Sequence, residues 1–353
     1  MTRPADGQRA LFDQPTSGLQ PAAPRPEHRA LAARLPPTIR FGTMSWSFPG
    51  WIGKVYAAGA PKTRLGDRGL PAYASHPLHR AVELDRTYYE APAADFFRAL
   101  AEEVPDDFHF LVKAHEECTV FRFPTHARYG KRRGELNGRF LDAAYATDAV
   151  VGPTLEGLGG KAGPLLFQFP PQPLDDAPQA FAGRLHDFLR RLPRGPAYAV
   201  ELRNAELLTP EYGAALLDAG ALHCHNVWSA MPPLLQQARA IPPGARRPLV
   251  VRWLLRAGDN YEAAGERYQP FDRLREEDPE SRSAIATLVA KAHAHGVPAL
   301  ITVNNTAEGC APDGIALLAG ALLSRIESLA EQPALAGASV GAGGGAAGGA
   351  RKD

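Results

Sequence analysis

Polar and charged side chains stand near the ends of the apolar segments of this chain, where they could do chemistry together. Four segments carry two such residues that are two positions apart: Glu83 and Asp85, Lys113 and His115, Glu201 and Arg203, and His223 and His225. Other segments end near Gln168, Arg252, and the adjacent Asn304 and Asn305. Residues two apart on a β-strand point to the same face. If the segments are neighbouring strands, the spacing predicts one polar cluster.

The acids and bases of this cluster suit two kinds of chemistry. Glu201 and Glu83 are candidates for general acid and base, because two carboxylates in unlike surroundings can divide those roles. Lys113, Arg203 and Arg252 are candidates to hold an anion, and arginine offers bidentate contact to phosphate. Internal salt bridges are the alternative. Buried ion pairs contribute little to stability compared with apolar side chains, which favours a functional cluster.

The elements that would position these residues are eight short segments rich in apolar residues: 39–46, 81–89, 108–114, 164–170, 197–204, 221–228, 248–255 and 298–305. Such runs are typical of parallel strands covered on both faces. Helices are predicted between most of them, and only the first and sixth connections are weakly helical. The alternation predicts an α/β fold, a single (β/α)8 barrel of the TIM type, with its site at the C-terminal end of the strands. An open doubly wound sheet is the alternative, although no glycine-rich phosphate turn opens the first unit.

Composition and charge narrow the class of protein. The chain has 353 residues, 22% of them charged, and a formal net charge of +1, so no overall basic field would hold nucleic acid or an anionic membrane. Cys118, Cys224 and Cys310 are odd in number and far apart, which indicates reduced thiols rather than a disulfide framework. No apolar run could cross a bilayer, and no secretory signal is recognisable. We expect a cytoplasmic protein with no membrane partner.

Three parts are expected along the chain. Residues 1–37 are rich in Pro, Ala and Arg and are expected to form a disordered tail, with an extended linker at 19–26. Residues 38–331 are the expected barrel. Residues 332–353 contain a run of Gly and Ala that cannot bury a core, so a second disordered tail is expected there.

A basic loop follows the third predicted strand, over residues 121–139. Its aromatic residues are interleaved with six cations: Arg122, Arg128, Lys131, Arg132, Arg133 and Arg139. Clustered Lys and Arg can hold phosphates, and aromatic rings can stack on bases. A solvated charged surface is the alternative. Because a loop after a strand lies on the same rim as the polar cluster, we interpret it as a candidate phosphate or nucleic-acid contact.

A short peptide in the N-terminal tail, QRALF at residues 8–12, resembles the QxxLF peptide by which bacterial replication and repair proteins dock on the sliding clamp. Leu11 and Phe12 can fill an apolar pocket while Gln8 forms hydrogen bonds, all from a flexible tether. The peptide therefore indicates the bacterial sliding clamp as a partner. An incidental match in a tail is the alternative.

Metal and nucleophile chemistry have weaker support. His115, Cys118, His223 and His225 could surround a zinc ion, but the chain has no HExxH motif and no paired CxxC. It also lacks the GxSxG turn of a Ser-His-Asp hydrolase. We expect no metal and no cofactor.

A series of motifs resembles the YecE-like family, also called domain of unknown function 72. The motifs occur in order: GTMSWSFPGWIGKVYA (42–57), VELDRTYYEAP (82–92), FLVKA (110–114), LLFQFPP (165–171), VELRN (200–204), VVRW (250–253) and VNNTAEGCAP (303–312). The resemblance spans about residues 39–325. It implies a TIM barrel, loosely similar to the endonuclease IV and xylose isomerase barrels, without an established reaction.

The positions that match the family pattern are Trp46, Trp51, Glu83, Tyr89, Lys113, Gln168, Pro170, Glu201, Arg203, Arg252, Asn304 and Asn305. The sixth strand departs from the pattern. The family usually has an Asp near its end, whereas this chain has His225-Asn226. This departure argues against a role for the sixth strand, above all in metal binding.

Together these observations predict a metal-independent enzyme that acts on a phosphate-bearing substrate, either an anionic small molecule or a nucleic acid. Neutral side chains would orient the substrate: Gln168, Asn304, Asn305 and Trp46. Two alternatives remain open. One is a non-catalytic DNA- or RNA-binding accessory protein recruited by its tail. The other is a glycosidase-like enzyme that uses Glu83 and Glu201, with Trp46 and Trp51 as sugar platforms.

Overall fold

Eight parallel strands close into a barrel in this chain. The structure is a computed structural model that describes residues 19–172, 174, 177–244 and 247–338. Each strand pairs with the next along the sequence, and the last pairs with the first. The strands are β1 Ile39–Thr43, β2 Ala81–Leu84, β3 His109–Lys113, β4 Ala162–Gln168, β5 Tyr198–Glu201, β6 Leu222–Val227, β7 Leu249–Trp253 and β8 Ala299–Val303. The predicted (β/α)8 barrel is confirmed, and the open sheet is excluded.

Helices alternate with the strands and cover the outside of the barrel. They are α1 Pro26–Arg34, α2 Leu65–Arg68, α3 Leu70–Ala74, α4 Ala94–Glu102, α5 Ala143–Ala146, α6 Gly152–Leu158, α7 Pro178–Arg191, α8 Pro210–Ala219, α9 Leu234–Ala240, α10 Tyr261–Tyr268, α11 Pro279–Ala294 and α12 Ala311–Ala338. The two connections with weak helical pattern contain only short helices, α2 and α3 in the first and α9 in the sixth. Some helices are preceded by a residue whose side chain caps their first turn, such as Thr209 before α8 and Asp278 before α11.

Inward-facing side chains fill the barrel in layers, as the alternation of a β-strand requires. A buried apolar cluster fills the middle of the barrel: Ala81, Leu111, Leu166, Ala199, Leu222, Cys224, Val250 and Leu300. Two residues further along most strands, the next inward position is polar. The strands therefore carry an apolar floor and, above it toward their C-terminal ends, a layer of charged and amide side chains.

The sixth strand does not follow the predicted orientation of its histidines. Leu222 and Cys224 face the barrel interior, so His223 and His225 face outward toward the helices. There the hydroxyl of Tyr212 on α8 lies 2.9 Å from Nδ1 of His223. The prediction that these two histidines join the inward polar cluster is wrong, because the inward positions of this strand are the residues between them.

The segment before the barrel is more ordered than the sequence suggests. The amide of Leu19 donates to the carbonyl of Arg68, and the amide of Ala22 donates to that of Val55. Helix α1 follows within the expected tail, and its buried His28 lies 3.3 Å from His76 across the interface with the barrel. At the other end of the chain, α12 continues past residue 331 to Ala338. The clamp-like peptide with Gln8, Leu11 and Phe12 lies outside the described residues.

The described part of the chain contains no helix that combines the length and the apolar character needed to span a bilayer. Cys118, Cys224 and Cys310 are all buried free thiols, in agreement with the expected absence of a disulfide framework.

Candidate active site

The polar layer at the C-terminal end of the barrel consists of Glu83, Asp85, Lys113, Gln168, Glu201, Arg203 and Arg252. Its members come from five strands and from the residues that directly follow them. Ladder pairing sets Gln168 on β4 beside Glu201 on β5. The three acids and three bases have balancing formal charges, so the layer as a whole is neutral.

Arg252 is the centre of this layer. Its Nε and Nη2 donate to the two oxygens of Glu83, at 3.0 and 2.6 Å. Its Nη1 donates to Glu201 and, at 3.3 Å, to Gln168, and Nη2 also lies 3.8 Å from the sulfur of Met44. These contacts use the five N–H groups of the guanidinium. Arg252 is 1% exposed and has no donor left for a substrate.

The two glutamates that Arg252 joins are both fully buried. Burial raises the pKa of Glu83 more than Arg252 and Lys113 lower it, while Thr302 donates a hydrogen bond to its Oε2 at 3.1 Å. Burial also acts to raise the pKa of Glu201, but Arg252 and Arg203 outweigh it, and the pKa lies below its usual value. The pKa values of the two carboxyl groups are thus shifted in opposite directions, and neither carboxylate reaches solvent.

Arg203 connects the buried layer to the surface. Its Nε donates to Oε1 of Glu201 at 2.9 Å, and its Nη2 donates to Gln168 at 3.1 Å. Its guanidinium stacks 4.2 Å from the ring centre of Trp228. The side chain is 14% exposed, and Nη1 has no hydrogen-bond partner among the described residues. Arg203 is therefore held in one orientation with donors directed to the mouth of the barrel.

Lys113 and Asp85 form a second ion pair at the mouth, with Nζ and Oδ1 2.5 Å apart. The ammonium also lies 4.3 Å from the ring centre of Tyr88. Burial lowers the pKa of Lys113, and Asp85 offsets this only in part. Burial acts to raise the pKa of Asp85, but Lys113 outweighs it and the pKa is lowered. Because the Asp85 side chain is 45% exposed, it is the carboxylate of the layer that a substrate can reach.

The remaining predicted contacts lie apart from this layer. Asn304 lies at the rim, where its amide is 3.4 Å from the hydroxyl of Tyr261. Asn305 is buried, and its Oδ1 accepts from the indole of Trp51 and from the amide of Ala311. The indole of Trp46 donates to the carbonyl of Gly66 and its ring packs against the apolar core. Asn305 and Trp46 thus form structural contacts.

The basic loop is largely paired with acids that precede it. Arg128 pairs with Glu116, and Arg132 and Arg139 both pair with Glu117, each at 2.6 Å. Arg122 and Arg133 donate to backbone carbonyls within the loop, and Lys131 is exposed. Counting cations alone therefore overstates the charge that this loop offers to a phosphate.

The model of the family described as protein of unknown function, DUF72, matches residues 40–337. The chain belongs to the DUF72 family. A DUF72 structure from Enterococcus faecalis has a TM-score of 0.52 and 17% identity, over 80% of this chain and 95% of that one. Another from Thermotoga maritima has a TM-score of 0.51 and 19% identity, over 83% and 99%. Both support the fold. Comparison with curated proteins gave no match.

Within the described part of this DUF72 barrel, no group of three or more His, Cys, Asp or Glu side chains is arranged to hold a metal ion. The residues considered for zinc are dispersed. His115 bonds to the hydroxyl of Tyr145 at 2.6 Å, Cys118 is buried, and His223 and His225 face the helices.

Two residues of this candidate site, Tyr88 and Trp228, were not selected from the sequence, and Asp85 was recognised only as a member of the polar cluster. Asp85 stands near the end of the same strand as Glu83, and only its greater exposure distinguishes the two residues. Trp228 ends the sixth predicted segment, and Tyr88 belongs to a matched family motif. In each case a signal was present, but it did not show which side chain would line the mouth.

Proposed function

We propose that this barrel is a metal-independent enzyme that acts on a phosphate-bearing substrate at the C-terminal end of the strands. The observation that carries the proposal is the arrangement of Arg203, a partly exposed guanidinium fixed from below by Glu201 and Gln168 and from the side by Trp228. A fixed guanidinium with free donors suits the oxygens of a phosphate.

Asp85 is the other charged group that a substrate can reach, and Lys113, whose side chain is 6% exposed, is paired with it. Lys113 adds a second positive charge beside Arg203, so that two protein cations can neutralise the phosphate oxygens. Asp85, whose pKa is lowered, is ionised at neutral pH and can accept a proton from an attacking hydroxyl or water. Its partner Lys113 can donate a proton to the leaving oxygen. This assigns acid–base chemistry to Asp85 and Lys113.

Glu83, Glu201 and Arg252 are then positioning residues. The guanidinium of Arg252 is saturated by the two carboxylates, and all three side chains are excluded from solvent. This division of roles differs from the one expected from the sequence, in which Glu83 and Glu201 were the catalytic pair. It also disfavours a glycosidase, because a guanidinium joins the two carboxylates where the sugar would have to lie.

Activity can be sought by incubating the EDTA-treated full chain with phosphomonoesters, phosphodiesters and nucleotides and following products by 31P NMR. We expect turnover of at least one class. Arg203→Met should lower kcat/KM by about a hundredfold or more, the effect of losing one fixed charge donor. Glu201→Gln should mainly raise KM, because it frees Arg203 without removing its charge.

Arg86→Met is the matched control, since Arg86 is an exposed arginine just after β2 and pairs with Glu90, outside the polar layer. Its activity should stay within about twofold of the unchanged protein. Turnover that survives Arg203→Met, or turnover that EDTA abolishes, would contradict the proposed site.

A nucleic-acid accessory protein recruited to the bacterial sliding clamp is the second candidate. Its support is the QRALF peptide, which retains the residue types and spacing of a clamp-binding motif. We expect a labelled peptide of residues 4–16 to bind the clamp in the micromolar range by fluorescence anisotropy, because ordering a short tail offsets part of the contact energy. The double variant Leu11→Ala/Phe12→Ala is its control. Equal binding of both peptides would leave the motif without a function.

A further inference from the structure

A cavity opens at the N-terminal end of the barrel, opposite the polar layer, and has a volume of about 530 Å³. It is lined by His109 at the start of β3, by Ala162 and Gly163 at the start of β4, and by Ala299 at the start of β8. This volume lies within the range of about 300–1,000 Å³ that is typical of small-molecule sites. The apolar floor of the barrel separates the cavity from the polar layer.

The charged groups that line this cavity are all basic. Arg40 projects from β1, Arg194 stands in the connection between α7 and β5, and His109 lies near Arg40. No acidic residue belongs to the lining. Neither arginine forms an ion pair with a carboxylate of the described residues, and the exposed Asp107 attracts Arg40 without pairing with it.

Arg40 is the more informative of the two arginines. Its Nε is buried and has no hydrogen-bond partner within the described residues. Leaving a charged donor unsatisfied costs free energy, so the stability of the barrel gives no reason for this arrangement. Its terminal nitrogens also have no hydrogen-bond partner among the described residues, and they are the donors that an oxyanion in the cavity would reach. Most of the remaining lining is apolar, including Leu155, Pro164 and Leu300.

We propose that this cavity binds a small organic anion, with its carboxylate or phosphate group against Arg40, with Arg194 adding a second positive charge to the lining, and with its apolar body against the proline and leucine walls. The site is separate from the proposed active site and does not depend on the reaction assigned there. Charge-assisted hydrogen bonds from Arg40 and the charge of Arg194 provide the affinity for the oxyanion. The apolar walls select ligands that carry a hydrocarbon part over inorganic ions.

Isothermal titration calorimetry of the full chain with benzoate and with phenyl phosphate tests the proposal. Benzamide has the shape of benzoate without its charge, and inorganic phosphate lacks the apolar body. We expect one or both organic anions to bind with a Kd below about 1 mM, and the two neutral or purely inorganic probes to bind at least tenfold more weakly. Preference between benzoate and phenyl phosphate assigns the oxyanion.

Arg40→Gln and Arg194→Gln should each weaken binding by about tenfold, whereas Arg203→Met, at the other end of the barrel, should leave it unchanged. Arg194 is exposed, so its variant keeps the test decisive even if Arg40→Gln folds poorly. The proposal is overturned if neither anion binds at about 10 mM, if benzamide binds as well as benzoate, or if only Arg203→Met removes binding.

Discussion

The two ends of the barrel treat their cations differently. At the C-terminal end, Arg252, Arg203 and Lys113 each contact a carboxylate within the polar layer. At the N-terminal end, Arg40 and Arg194 line a cavity without an acidic neighbour in its wall. The first end is neutral and internally bonded, so a substrate there must compete with existing partners. The second end is electropositive and can accept an anion without breaking an ion pair.

This difference teaches that strand-end charge alone does not identify where an anion binds. A buried cation that is saturated by carboxylates, as Arg252 is, fixes its neighbours and has little to offer a ligand. A cation with unused donors, such as Arg203 at the mouth or Arg40 at the base, is the better candidate. Pairing therefore separates positioning residues from binding residues within one barrel.

We expect the largest effect on stability from replacing Arg252, the residue at the centre of the ion-paired polar layer. Arg252→Met should lower the free energy of unfolding by about 3–5 kcal/mol, because it leaves the buried carboxylate of Glu83 without its ion-pair partner and Glu201 with Arg203 alone. Urea denaturation followed by circular dichroism measures the loss. Arg194→Gln, at the unpaired end, should change stability by less than about 0.5 kcal/mol.

The triple variant Arg252→Met/Glu83→Gln/Glu201→Gln sharpens this prediction, since it removes the two buried carboxylate charges together with the guanidinium that pairs with them. It should recover most of the stability lost by the single variant. If Arg252→Met were as stable as the unchanged protein, the polar layer would be hydrated, and its ion pairs would not contribute to stability.

Buried histidines illustrate a third arrangement, in which an ionisable group is uncharged instead of forming an ion pair. Burial lowers the pKa of His223 to about 4, and the same holds for His76. The unfolded chain, with a pKa near 6.5, binds more protons than the folded chain between these values. Each histidine therefore contributes stability above pH 6.5 that is lost as the pH falls toward 4.

From pH 7 to pH 5 the loss amounts to about 2 kcal/mol for one such histidine. His223→Phe should reduce the pH dependence of the unfolding free energy by that amount. His295→Gln, which changes an exposed histidine, is the matched control. Identical slopes for His223→Phe and the unchanged protein would show that His223 titrates normally in the folded state.

The smallest effect is expected in the basic loop, where pairing can be released without disturbing the barrel. Glu117→Gln removes the partner of both Arg132 and Arg139. Affinity for a single-stranded oligonucleotide at low salt should rise by about three- to tenfold, with a steeper salt dependence. Glu135→Gln, which neutralises a glutamate within the loop itself, is the control for net charge. Equal gains in both variants would indicate a general charge effect and not release of the two arginines.

The sequence was sufficient to predict the barrel, and it singled out the residues of the polar layer together with others, such as His223 and Asn305, that lie outside it. Apolar runs marked the eight strands, and two-residue spacing marked Glu83 with Asp85 and Glu201 with Arg203 as neighbours on one face. How deeply each of these side chains is buried was not predictable in the same way. Glu83 and Asp85 share a face, but only closure of the barrel decides that the first is buried and the second reaches solvent.

Other features escaped prediction for reasons that are equally physical. In the sixth strand the apolar Leu222 and Cys224 alternate with His223 and His225, but both faces of a barrel strand are covered, so the alternation did not show which face was inward. Helix α1 is rich in Ala and Arg with a weak amphipathic pattern, and its order comes from contact with the barrel. The N-terminal cavity is assembled from Arg40, His109 and Arg194, which share no motif or spacing.

The bonds of Arg252 also have a consequence for how the barrel assembles. This residue, on the seventh strand, satisfies Glu83 on the second and Glu201 on the fifth, at separations of 169 and 51 residues. Until the seventh strand docks, both carboxylates must remain hydrated, which keeps the centre of an open barrel wet. Closure and drying of the interior are thereby coupled, so that incomplete barrels, such as those formed by truncated chains, lack a dry core and stay open to proteolysis.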